Sequence, residues 1–158
     1  DDSNRASEQP LILTHVGAWA PMAEQKAVAK FFGKREAIKN FNANFKKELE
    51  IRLRGIYDGF TQLKNEGLSV DAIAPEAALY LTIKIDLVGK KTAEGKTLAD
   101  QAEVTSYLLG NGGLAIVPFY AFGAAKTSTW YRLSVGTCKK EEIGEMIGKL
   151  REALLKLS

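Results

Sequence analysis

The chain has 158 residues, 46% hydrophobic and 26% charged, which suits one soluble folded domain, or one domain with a piece of another, and argues against disorder. Its net charge of +3 is dispersed, with Lys46 and Lys47 beside Glu48 and Glu50, so neither a nucleic-acid footprint nor a membrane-spanning run is expected. A single cysteine (Cys138) and a single histidine (His15) exclude an intrachain disulfide and the usual zinc ligand sets, and point to a reducing, cytoplasmic setting.

Residues 1–13 are polar up to Pro10 and then briefly apolar; they read as a tail or an expression remnant. The segment from His15 to Pro21, HVGAWAP, leads into a helix with Pro21 as its first residue, running to about Phe32 and ended by Gly33. Next comes the clearest pattern in the chain. Ile38, Phe41, Phe45, Leu49, Leu53, Ile56, Phe60 and Leu63 recur at steps of three and four, predicting one helix from about Lys34 to Glu66, stopped by Gly67. Such a helix is roughly 45–50 Å long and is expected to bridge two bodies. Gly55 and Gly59 inside its stripe argue against an isolated coiled coil.

The period then changes to two. Leu79, Leu81, Ile83, Ile85 and Leu87 alternate with Tyr80, Thr82, Lys84 and Asp86, which predicts a half-buried strand. A polar loop, 89–96, precedes a helix over about 97–109 with Ala102, Thr105 and Leu109 on one side. Asn111-Gly112-Gly113 is a turn. Leu114 to Val117 is a short strand ended by Pro118, and Thr129 to Thr137 is another, with Tyr131, Leu133 and Val135 on one face and Trp130, Arg132 and Ser134 on the other. A last helix from Lys139 to Leu157 carries Ile143, Ile147, Leu150, Leu154 and Leu157. The order predicts an α+β fold: a small sheet of three or four strands covered by helices on one face and approached by a long helix. The expected organisation is a tail over 1–13, a helical segment over 14–66 and a small domain over 67–158.

Arg132 is the residue best suited to chemistry. Arginine grips a carboxylate through two parallel hydrogen bonds, and a strand would hold it still. The plainer reading is an edge arginine paired with a surface acid. Gly112 to Gly123, GGLAIVPFYAFG, could allow close backbone approach or be only a turn, a strand and a loop. Cys138 would open the last helix, whose N-terminus could lower its pKa, but its only histidine base, His15, is distant in sequence. Glu141 and Glu142 sit where the helix dipole favours acids.

Taken in order, ALYLTIKIDL, a helix, GGLAIVPFYAFG, WYRLSVG and a final helix resemble the C-terminal small domain of class I/II aminotransferases, the fold-type-I pyridoxal-phosphate (PLP) enzymes related to aspartate aminotransferase. HVGAWAP and its helix resemble the segment that follows the active-site lysine motif in some of them. The resemblance implies amino-group transfer between an amino acid and a 2-oxo acid, with PLP as cofactor and a homodimer as the assembly. It gives Arg132 the role of binding the substrate α-carboxylate, and places His15 to Trp19 near the active site of the neighbouring subunit. It also implies that the large domain, with the Schiff-base lysine, the aspartate that pairs with the pyridine nitrogen and most phosphate-binding groups, is not in this sequence. Lys126, in AAKTS, lacks the family's Ser-x-x-Lys setting. This chain alone is then expected to be inactive. The alternative is a stand-alone, non-catalytic α+β module that binds a small acid or a partner protein.

Overall fold

The computed structural model describes residues 20–136 and 138–158. His15 and Trp19 lie outside the described residues. The chain forms two compact units, Asp1–Asn44 and Phe45–Ser158, with the boundary inside a helix.

The first helix, α1 (Met22–Phe32), has no buried residue. Pro21 is its N-cap, with extended backbone, rather than its first helical residue; its carbonyl accepts the Gln25 N–H at 3.0 Å. Gly33 ends the helix in the right-handed region, so its left-handed freedom is not used. The second helix, α2 (Arg35–Asn65), has 31 residues and spans roughly 46 Å. Its predicted stripe divides. Leu53, Ile56, Phe60 and Leu63 are buried, whereas Phe41 and Phe45 are 66% and 48% exposed. The helix closes as predicted at Gly67, whose φ is +85°. The Gly67 N–H reaches the Lys64 carbonyl, and the Leu68 N–H reaches back to Leu63 (2.9 and 3.1 Å). This is the paired capping pattern that only a left-handed residue permits without strain.

The sheet is fully antiparallel, in the order β1-β2-β4-β3. Its strands are β1 (Val70–Ala72), β2 (Tyr80–Ile85), β3 (Val117–Pro118) and β4 (Trp130–Ser134). The sequence pattern does not announce β1, because three residues are too few to show a period. The Leu114–Val117 strand shrinks to two residues because Leu114 and Ile116 turn into the core before pairing begins. The core face of the sheet is Leu81, Ile83, Ile85, Tyr131 and Leu133, all nearly inaccessible.

The third helix, α3 (Gln101–Gly112), corrects the sequence reading in start and face. Asp100 caps it, its Oδ1 accepting the N–H groups of Ala102 and Glu103 at 2.9 Å each. The Glu103 carboxylate takes the Ala99 N–H in return (2.7 Å). This reciprocal cap fixes the start at 101 rather than 97. Val104, Tyr107 and Leu108 then point inward, while Ala102 and Leu109 are exposed and Thr105 is half-buried. A 3-10 turn (Lys140–Glu142) holds Glu141 and Glu142 just before α4 (Ile143–Leu155). The α2 glycines have a packing role. A Cβ on Gly59 would lie 2.5 Å from Ile147 Cγ1, and one on Gly55 would lie 3.3 Å from Ile143 Cδ1. Helix α4 crosses α2 closely because those side chains are missing.

Candidate functional site

The sheet face away from the core carries Tyr80, Thr82 and Lys84 on β2 and Trp130, Arg132 and Ser134 on β4. The register places Thr82 directly beside Arg132 on one side and Val117 on the other. Arg132 is therefore on an inner strand, held between two neighbours. Alternation is the cause: the residues flanking Arg132 in sequence, Tyr131 and Leu133, are buried, which forces Arg132 to the other face. Tyr131 also anchors β4 from below, its hydroxyl donating to the Gln101 side chain in the core. Burial, reinforced by the Tyr120 and Asp86 charges, holds the Tyr131 phenol above its ordinary pKa, so it remains a neutral donor.

The Arg132 guanidinium carbon lies 4.4 Å from the centroid of the Tyr80 ring and 4.4 Å from that of Phe122. Tyr80 begins β2, diagonal to Arg132 in the register. Phe122 ends the 3-10 turn Phe119–Phe122 that follows β3, and meets Phe119 edge-on at 6.4 Å. The sequence pattern places Arg132 but misses both rings; only the register brings Tyr80 beside it. Among the described residues no carboxylate pairs with Arg132, so the plain reading of an arginine tied to a surface acid does not hold there. Asp71, on β1, is engaged by Lys64 at 2.7 Å. The Lys64 hydrogen bond, then the Ala72 N–H, hold the Asp71 carboxyl below its ordinary value.

The glycine-rich segment resolves into two caps. Gly113 ends α3 with φ +62°, and Gly123 ends the turn that carries Phe122 with φ +91°. Cys138 departs from expectation. Burial, followed by the charge of Glu142, pushes its thiol pKa up, against the opposing charge of Arg52. It precedes a 3-10 turn whose N-cap is Lys139, rather than opening α4. Among the described residues no group of three or more His, Cys, Asp or Glu side chains could hold a metal ion, and no helix is long and apolar enough to cross a membrane.

Residues 11–150 match the family model for aminotransferase class I and II. The chain belongs to that family. Among curated relatives, the "Probable aspartate/prephenate aminotransferase" of Rickettsia typhi is 27% identical over 133 residues, 84% of this chain and 30% of its own length. Among solved structures, the aspartate aminotransferase of Rhizobium meliloti matches with a TM-score of 0.63 at 25% identity, covering 75% of this chain and 28% of that one. A tetra mutant of the Thermus thermophilus aspartate aminotransferase shares the fold, with a TM-score of 0.59 at 21% identity over 77% of this chain and 28% of that one. The chain spans about 30% of the length of the Rickettsia typhi relative, an extent consistent with one small domain.

The family implies PLP, and the described residues do not by themselves fit it. A lysine that condenses with a carbonyl cofactor is made nucleophilic by desolvation or by a neighbouring cation. Every described lysine is at least partly exposed. The two whose pKa is displaced, Lys139 and Lys149, are raised by hydrogen bonds to Glu142 and Glu145.

Proposed function

We propose that this aminotransferase chain is the small-domain part of a PLP-dependent enzyme that moves an amino group between an amino acid and a 2-oxo acid, and that Arg132 binds the substrate α-carboxylate. The observation that carries the reading is the state of Arg132: a guanidinium fixed on an inner strand, set against two aromatic rings, with no carboxylate neighbour among the described residues. A planar cation with five in-plane N–H donors is then available to a planar anion. When bound, PLP supplies the electron sink for the carbanion; in this reading its lysine and phosphate donors come from outside these residues. The same reading takes 67–158 as the small domain and 14–66 as the helical segment leading to it. It also includes a cytoplasmic homodimer in which His15 and Trp19 approach the neighbouring active site. Exposure of Phe31 (50%) and Phe32 (66%) on α1 favours this over a self-sufficient module, which would have little reason to leave such rings in water.

The test is a spectral titration with PLP, on the chain alone and on the chain mixed with the separately purified N-terminal remainder of its parent. The expected result is that only the pair binds the cofactor productively and transaminates. Arg132→Lys should lower kcat/KM by about a hundredfold or more, because lysine keeps the charge but loses the two-pronged grip. Productive cofactor binding by the chain alone, or an inert pair, would sink the reading.

A further inference from the structure

Resting on that role for Arg132, we propose that Tyr80 and Phe122 are positioning residues that fix the plane of its guanidinium and so make the site selective for a planar carboxylate. Each ring centroid is 4.4 Å from the guanidinium carbon, and the rings come from independent elements on either side of β4. Both are substantially exposed, Tyr80 at 44% and Phe122 at 55%, so neither is there to fill the core. What they gain is the cation, and what the cation gains is orientation. Arginine on a sheet surface has several rotatable bonds and would otherwise sweep a wide volume. With ring faces against it, its N–H groups are restricted to the directions the rings leave open.

Both rings are themselves held. Phe122 is set by the edge contact with Phe119 and by Gly123, whose N–H reaches the Tyr120 carbonyl at 3.1 Å. Tyr80 follows Ala78, the one non-glycine described residue in the left-handed region, at φ +64°. Side chains with a Cβ rarely adopt that conformation, and such strain collects where a ligand clamp must be aimed. One residue on, the Leu79 carbonyl takes the Val135 N–H at 3.0 Å, which ties the start of β2 to the strand that carries Arg132.

Two measurements test the proposal. The first is the Nε–Hε resonance of Arg132 in the ¹⁵N-labelled chain, assigned by its loss in Arg132→Lys. Ring currents should displace it upfield of the exposed arginines, and Tyr80→Leu and Phe122→Leu should each return it part of the way. A resonance among those of the exposed arginines, unmoved by either substitution, overturns the proposal. The second is kinetics in the complete aminotransferase that carries this chain. Tyr80→Leu and Phe122→Leu should each lower kcat/KM for a 2-oxo acid by about three- to tenfold, mostly through KM, with the melting temperature unmoved. Tyr80→Phe, which keeps the ring, should recover most of that loss. If Arg132→Lys is harmless, the carboxylate reading itself falls. If Arg132→Lys abolishes turnover while both leucine variants match wild type, the carboxylate reading stands and the positioning role falls.

Discussion

At the scale of single residues, the two faces of β4 divide the labour. Arg132 looks outward and Tyr131 inward, and the inward residue decides where the outward one stands. Tyr131→Phe should therefore do more than delete a hydroxyl: it leaves the buried Gln101 side chain without its donor. An unsatisfied buried amide costs about 1–3 kcal/mol, so the urea midpoint should fall. Replacing Gln101 by leucine in the same variant should restore part of it. Arg132 is legible in the sequence because strict alternation reveals which side of a strand a residue takes. Tyr80 and Phe122 are not legible as its neighbours, because alternation in one strand carries no information about register with the next. Cys138 misleads for a related reason: a helix start inferred from composition puts a dipole where a 3-10 turn stands.

At the scale of elements, a long helix can be read correctly in length and only partly in purpose. The stripe on α2 predicts 34–66 and the structure gives Arg35–Asn65, yet only its second half reaches the core. Periodicity records which residues are apolar, not which of them are sealed from water. Helix α3 shows the opposite failure: Ala102, Thr105 and Leu109 are spaced as a helix face, but the Asp100 cap selects Val104 and Leu108 instead. Gly55 and Gly59 weaken α2 as an isolated helix, and the crossing with α4 is the compensation. Gly59→Ala should gain about 1 kcal/mol of helix propensity and still destabilise the chain, since the new methyl meets the stiff, branched Ile147 at 2.5 Å. Ile147→Ala introduced on top should turn the alanine from harmful to helpful. A thermal melt of the four proteins in the cycle decides it, and equal melting of wild type and Gly59→Ala would refute the close crossing.

For the whole molecule, charge and apolar surface set the behaviour in solution. Glu48 is held below the ordinary carboxylate value of 4.5 by hydrogen bonds to Arg52 and Lys140, and Glu66 by Arg151 and Gln62. The Lys140 and Arg151 contacts join the α2 segment to the α4 segment, whereas those of Arg52 and Gln62 are local to the α2 segment. A carboxyl whose folded pKa is depressed adds stability above its unfolded value and loses it as pH falls through the folded one. Stability should accordingly be flat near neutrality and decline below about pH 4.5, and added salt should weaken the effect because the pairs are open to water. Denaturant midpoints from pH 7 to pH 3 should fall less in Lys140→Ala with Arg151→Ala than in the unmodified chain, and identical profiles would refute the contribution of these pairs. The exposed rings of α1 predict self-association of the isolated chain. Sedimentation should show it concentration-dependent, and Phe31→Ser with Phe32→Ser should shift the chain toward monomer.

The alternation that turns Arg132 outward has a practical corollary. Trp130 stands two residues earlier on the same strand and the same face, partly shielded from solvent. The chain has one other tryptophan, Trp19. A Trp19→Phe variant would leave a single indole on the strand that carries the guanidinium, and on the proposed carboxylate-binding role of Arg132 its fluorescence should change as a 2-oxo acid is titrated in. The strand thus carries its own optical probe, which tests that proposal without any coupled assay.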